Sequence, residues 1–308
     1  MGALAALGVA LAFGALRRTE LAPPGAIALW VADRDAGELY ALDSELILAQ
    51  RVALARPLDL VRSASGRLFV LRARSGTPGE WLDEFDAQGR CLRELELRAC
   101  LDLQLAGESA LLVDAGPGSA MRHALRLDPD AGLLLLASAP ALRCISPSLD
   151  SILLGTEDGR VERRASDGSV VLANAALGGG VVDLAPTPEP GGVFALDGPG
   201  RRLLCLAPDL GLRWQAPLPF EAAHLGVVEG EERVWLLEAG ARRVLRYGPG
   251  GELELERDNL PLTGLTRVLP WNEGGALVAA PGAILALDAR GHLAPGQGGF
   301  NYLVALAR

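Results

Sequence analysis

The chain has 308 residues, enough for two average domains or one large all-β domain, and its 50% hydrophobic content can fill a sizeable core without disulfide or metal staples. Its formal net charge of −9 argues against a nucleic-acid partner, because a phosphate backbone demands a basic face. All 29 basic residues are arginine, which we read as codon bias in a GC-rich genome. Four cysteines, Cys91, Cys100, Cys144 and Cys205, form no C-x-x-C pair, so a zinc ribbon or a thioredoxin-like site has no support. Cys100 and Cys144 fall at matching places in neighbouring repeats. A disulfide between them is one reading, and two small buried apolar side chains is the preferred one.

The first segment differs in kind from the rest. Ala3 to Leu16 is uninterrupted apolar sequence ending at Arg17 and Arg18, and residues 19–25 read as a linker closed by Pro23, Pro24 and Gly25. As a helix the run would be roughly 21–24 Å long, short of a ~30 Å hydrocarbon core. Residues 1–18 are therefore expected to form a short apolar helix, either a signal-like segment or a membrane tether through residues 3–16, and the protein to be exported or membrane-anchored. The orientation stays open, because the two arginines follow the run rather than precede it.

From Ala26 onward helical periodicity gives way to short apolar runs, turn residues and alternation. A five-residue apolar marker recurs: LWVAD at Leu29, LFVLR at Leu68, LLVDA at Leu111, ILLGT at Ile152, VFALD at Val193, VWLLE at Val234 and ALVAA at Ala276. Most copies are preceded by an inner-strand candidate and followed by a strand that ends in a turn such as FDAQG, LDPDAG or LDARG. Asp and Gly suit such turns, Asp through Asx geometry and Gly through its tolerance of positive φ. Each unit is thus four antiparallel strands in about 41 residues, the signature of propeller blades. The first unit lacks an inner strand and the last apolar segment, YLVALAR, has no unit of its own. That segment is expected to close the ring by joining the first blade. The prediction is an all-β, seven-bladed β-propeller over residues 26–308, with six blades as the alternative if the weak outer strand near His292 leaves the last unit incomplete.

The pattern P-x-D-hydrophobic, a small polar residue and Gly, an apolar strand, then aromatic-Asp-x-x-Gly resembles NHL-type and related bacterial propeller repeats, most clearly over Arg56 to Arg90. The resemblance concerns architecture. It implies a class that mostly binds proteins, peptides, RNA or small ligands, with some lactonases and lyases.

Aligning the units places Asp59, Asp102 and Asp183 at the start of three inner strands, with Arg143, His224, Arg267 and Asn301 near the same place in the others. Such a ring could hold a ligand, or Ca²⁺ through carboxylate oxygens, and His224 could act as an acid or base. The stronger expectation for the three Asp residues is structural: they hydrogen-bond free backbone groups of the adjacent inner strand. A second acidic set, Asp33, Asp114, Asp197 and Glu238 with Glu157 nearby, ends the marker strands and would make that mouth negative, or cap turns. Trp81 and Met121, in loops at the same mouth, are candidate apolar anchors. No nucleophile elbow, phosphate loop, zinc-protease helix or dinucleotide fingerprint is present. The expected function is a monomeric, non-catalytic binding or scaffold propeller that engages a protein, peptide or saccharide at an acidic channel mouth. The alternative is a metal-dependent hydrolase or lyase of lactonase-like plan.

Overall fold

A computed structural model describes residues 27–308 apart from 77, 116–120, 228–232, 239–241, 273, 302 and 308. The expected N-terminal helix and the whole of the linker lie outside the described residues. Within them, no helix is long and apolar enough to cross a membrane.

Twenty-eight strands follow in chain order. The first three are β1 (Leu29–Asp33), β2 (Glu38–Leu42) and β3 (Leu48–Ala53). The second group is β4 (Pro57–Arg62), β5 (Leu68–Ala73), β6 (Glu80–Phe85) and β7 (Cys91–Leu97). The third is β8 (Cys100–Ala106), β9 (Ser109–Asp114), β10 (Arg122–Asp128) and β11 (Gly132–Ala139). The fourth is β12 (Leu142–Ser148), β13 (Ser151–Thr156), β14 (Arg160–Ala165) and β15 (Val171–Ala176). The fifth is β16 (Val181–Pro186), β17 (Val193–Asp197), β18 (Arg202–Leu206) and β19 (Leu212–Pro217). The sixth is β20 (Ala222–Val227), β21 (Val234–Glu238), β22 (Val244–Tyr247) and β23 (Leu253–Arg257). The seventh is β24 (Arg267–Trp271), β25 (Gly275–Ala280), β26 (Ala283–Leu287) and β27 (Leu293–Gly298), and β28 (Leu303–Ala307) ends the chain.

These strands form seven four-stranded antiparallel sheets. Six are built from consecutive strands, and the first has the order β28-β1-β2-β3. The C-terminal strand is therefore the inner strand of blade 1, with Trp30 opposite Ala307 and Val31 opposite Leu306. The outer strand near His292 is formed and pairs with β26, so the seventh blade is complete and the six-bladed alternative falls.

The marker strands read as unbroken apolar runs because both of their faces are buried. In β1, Leu29 and Val31 pack towards blade 7 while Trp30 and Ala32 pack towards blade 2. The buried apolar residues of the ring separate into seven clusters, and each cluster joins one pair of neighbouring blades. The predicted turns are also present. Asp86 Oδ1 accepts from the backbone N–H groups of Gln88 and Arg90, and Asp288 Oδ1 does the same for Arg290 and His292. Leu46 stands at a comparable turn with φ of 63°, a left-handed conformation unfavourable for leucine, and its side chain is offset by burial between blades 1 and 7. All four cysteines are free thiols; Cys144 is buried as the apolar reading expects, whereas Cys100 is half-buried and its Sγ donates to the Asp102 carbonyl at 3.1 Å.

Leu303 is fully buried on the closing strand. Leu303→Ala should cost about 3 kcal/mol and lower the melting temperature by roughly 6–12 °C in a thermal circular-dichroism scan. Leu293→Ala, on an exposed outer strand, should change stability by no more than about 0.5 kcal/mol.

Candidate functional site

Six of the seven inner strands carry a one-residue bulge at the same place, near the mouth where they begin. In β4 the bulge skips Leu58, so Pro57 pairs with Arg72 and Asp59 with Leu71. A bulge re-aims the residue that follows it. Here it puts Asp59, Asp102, Cys144, Asp183, His224 and Ala305 at equivalent positions, and Arg267 takes the seventh without a bulge. Each is followed by a buried or half-buried aliphatic: Leu60, Leu103, Ile145, Leu184, Leu225, Leu306 and Val268.

Five of the predicted ring residues are thus brought together, and two are not. Arg143 is the bulged residue of β12, and Cys144 holds the ring position, packed between blades 4 and 5. Asn301 precedes β28, where its backbone N–H donates to Asp33 Oδ2 at 2.6 Å, and Ala305 holds the ring position. The displaced pair could have been found by counting back from the aliphatic residue that follows each ring position. Gln104, two residues beyond Asp102, is a further polar lining residue that the repeat alignment did not single out.

The ring side chains answer one another and the backbone. Asp59 Oδ1 accepts from the N–H of Leu60 at 2.9 Å, and its Oδ2 accepts from Arg267 Nη2 at 2.5 Å. Asp102 Oδ2 accepts from the N–H of Ile145 in the next blade at 2.8 Å, and its Oδ1 accepts from Gln104 Nε2 at 3.1 Å. Asp183 repeats the device: its oxygens accept from Leu184 N–H and from Leu225 N–H of the next blade, both at 2.9 Å. His224 Nδ1 lies 2.9 Å from Asp183 Oδ2 and 3.2 Å from Arg267 Nη1. One ring nitrogen cannot donate to the carboxylate and accept from the guanidinium together. The shorter contact joins a donor to an anion, so we assign the Nδ1 hydrogen to Asp183, and Arg267 is answered by Asp59. Arg267 of blade 7 reaches Asp59 of blade 2 past the small Ala305 of blade 1, which ties the ring across its closing seam.

Asp59, Gln104, His224 and Arg267 line a narrow cavity of about 210 Å³ with Leu60, Leu103, Leu225, Val268 and Leu306 in its walls. Asp59 still shows 17% of its side chain to the cavity, yet protein surrounds it. Burial raises the Asp59 carboxyl above the ordinary range, against the pull of Arg267. Asp102 has no ion-pair partner among the described residues. Burial first, and the charge of Asp183 second, push its carboxyl up to about 7. Among the described residues, no group of three or more His, Cys, Asp or Glu side chains is placed to hold a metal ion. Arg267 pairs with Asp59 and lies beside His224, which in turn meets Asp183.

The second acidic set does not charge the mouth. Asp33 and Asp197 are wholly buried and Asp114 is 8% exposed. Asp197 Oδ1 accepts from Gly180 and Gly200 N–H, and its Oδ2 pairs with Arg202. Asp114 Oδ1 accepts from Arg98 and Ala99 N–H, and Asp33 receives Asn301 N–H. Each of the three ties the end of a marker strand to the loop that enters its own inner strand. Glu157 and Glu238 pair with Arg122 and Arg243. The exposed rim instead carries Arg56, Arg98 and Arg201, with no ion-pair partner among the described residues, beside one similarly unpaired acid, Glu221. Trp81, on β6, is half-buried and stacked against Arg72 and Arg74, whose guanidinium carbons lie 5.6 and 5.3 Å from its ring centre. Met121 is 40% exposed, and residues 116–120 before it lie outside the described residues.

The chain matches no protein-family model and no curated protein. Solved structures do align with it along nearly its whole length. A functionally unknown protein from Desulfotomaculum acetoxidans is 14% identical, with a TM-score of 0.72 over 91% of this chain and 98% of its own. The periplasmic gluconolactonase PpgL of Pseudomonas aeruginosa is 13% identical, with a TM-score of 0.70 over 90% and 97%. Apo AztD of Citrobacter koseri is 14% identical, with a TM-score of 0.63 over 91% and 96%. At these identities the likeness establishes the propeller fold.

Asp102 offers a direct check on the ring. Its folded pKa lies above its unfolded value, so the folded state keeps a proton that the unfolded state loses between about pH 4 and 7. Wild-type stability should therefore fall across that window. Asp102→Asn retains an acceptor for Ile145 N–H and carries no charge. It should be more stable than wild type at pH 8, by on the order of 2 kcal/mol after screening by channel water, with the gap closing towards pH 4. Urea unfolding at a series of pH values measures this.

Proposed function

We propose that the protein is a non-catalytic binding propeller whose ring-side mouth engages a protein, peptide or saccharide partner carrying acidic groups. The observation that supports this reading most is the state of the ring carboxylates. They are held by backbone N–H groups, Arg267 and His224 rather than presented to a substrate. The cavity beside them, at about 210 Å³, lies below the usual range of small-molecule sites, so a larger partner meets the rim. There the unpaired charges are mostly arginines, which suits bidentate capture of carboxylates. This reverses the sign expected from the buried aspartates. Export or membrane attachment is supported by the apolar run of residues 3–16 and by the location in the name of the periplasmic gluconolactonase that shares the fold.

A lactonase-like hydrolase is the second reading, favoured by one observation: the Asp183–His224 pair places an oriented imidazole in the cavity. A water activated by that imidazole would be the nucleophile. Calcium fits less well, because Arg267 already neutralises Asp59 where three carboxylates would have to converge.

Binding to arrays of acidic and neutral oligosaccharides and peptides separates the readings. An acidic ligand should be retained by wild type and by His224→Ala, and weakened at least tenfold by combined Arg56→Ala, Arg98→Ala and Arg201→Ala at unchanged melting temperature. Lactone hydrolysis that His224→Ala abolishes, with or without added calcium, would instead establish the enzyme.

A further inference from the structure

The opposite end of the ring holds a second, chemically different cavity of about 380 Å³ between blades 3 and 4, reaching Pro186 of blade 5. Its position follows from topology: Ala106 ends β8, Arg126 lies near the end of β10, and Ser148 and Ser151 flank the β12–β13 turn. The walls are largely apolar, with Leu111, Pro147, Leu149 and Ile152 around the polar groups. Leu149 stands 79% exposed at the edge.

Behind the two serines lies a buried cation without an anion. Arg163 on β14 is 7% exposed, and its guanidinium is met only by neutral acceptors. Its Nη1 donates to Ser148 Oγ at 2.8 Å and to Ser151 Oγ at 3.0 Å, and its Nη2 donates to the carbonyl of Gly191. No carboxylate pairs with it among the described residues, and burial lowers its pKa with no charge to oppose the effect. Buried charges are ordinarily paired. Each serine oxygen accepts from the arginine, so each hydroxyl hydrogen remains to be donated elsewhere. Both serines are 8% exposed and line the cavity.

A second arginine points to the same chemistry. Arg126 lines the cavity, and its nearest carboxylate, Asp128, is 3.4 Å from Nη2 and already accepts from the backbone of Asp130 and Ala131. The Nε groups of Arg126 and Arg163 are both buried without a hydrogen-bond partner. The other acids on the neighbouring turns of this end are engaged elsewhere or exposed: Glu108 accepts from Ser63 and Ser65, Asp167 accepts from Ser169, Glu189 pairs with Arg213, and Asp130 and Asp150 are exposed.

We propose that this cavity binds an aliphatic carboxylate. The two serine hydroxyls donate to its oxygens, Arg126 pairs with it directly, and Arg163 supplies the compensating charge through the serines. The alkyl part lies against Leu111, Pro147, Leu149 and Ile152. A volume of this size falls at the lower end for small-molecule sites and suits a medium-chain acid or one terminal residue of a peptide. Two neutral donors and one accessible arginine fit a monoanion better than a phosphate dianion.

Isothermal titration with octanoate and octanol tests the assignment. Octanoate should bind at least tenfold more tightly than octanol and raise the melting temperature with concentration. Ser148→Ala combined with Ser151→Ala, and separately Arg126→Gln, should each weaken octanoate at least tenfold. The arginine variant decides alone if the serine variant does not fold. A peptide ending in a leucine carboxylate, compared with its amide, identifies the source of the acid: preference for the free carboxylate supports the same site with a peptide ligand. Equal binding of octanoate and octanol, wild-type affinity in folded Arg126→Gln, or no binding of either octanoate or the carboxylate peptide would overturn the proposal.

Discussion

Everything in this molecule depends on the fact that a blade has two apolar faces and cannot keep either in water. In β1 alone, alternate side chains are committed to different neighbours, Leu29 and Val31 to one blade and Trp30 and Ala32 to the other. Burial of this kind yields about 25 cal/mol per Å² of apolar surface, and each blade gains it only when flanked on both sides. The arrangement must therefore close. Pairing β28 with β1 removes the seam edge that an open array would leave at each end.

Closure has an electrostatic consequence. Seven inner strands converge on one axis, and the residues at their first rungs come within reach of each other although their positions in the chain differ by as much as 208 residues. Polar groups brought into so narrow a space must satisfy one another or the backbone. Asp102 and Asp183 do so by fastening the next blade's inner strand, and Arg267 does so by spanning the closing blade to Asp59. The ring carboxylates act as fasteners between blades. The absence of lysine has a structural counterpart here. Planar guanidinium groups stack on Trp81 and Trp235 and distribute their donors over several neutral acceptors, as Arg163 does.

The two ends of the ring consequently differ. At one, acids and bases are interlocked inside a narrow pore, and Arg56, Arg98 and Arg201 stand exposed on the rim. At the other, a buried arginine and two serines face an apolar hollow. A propeller scaffold tolerates both because its loops vary while its blade interfaces do not.

The recurrence of a five-residue apolar run every 41 residues or so was sufficient to predict strand order and closure and to favour seven blades over six, because a repeat period and two-sided burial are local properties that a linear text records; the pairing of β27 with β26 decided the number. The Asx turns at Asp86 and Asp288 were legible for the same reason. The occupants of the ring were only partly legible. Arg143 and Asn301 fall one and four residues short of the ring positions that Cys144 and Ala305 hold, because those positions are set by the register of β12 and β28 on their neighbouring strands, which nothing in composition marks. The burial of Asp33, Asp114 and Asp197, and with it the sign of charge at the mouth, depended on which backbone N–H groups lay opposite them. The meeting of Arg163 with Ser148, Ser151 and Gly191 joins two neighbouring blades, and only packing in three dimensions could bring those groups together.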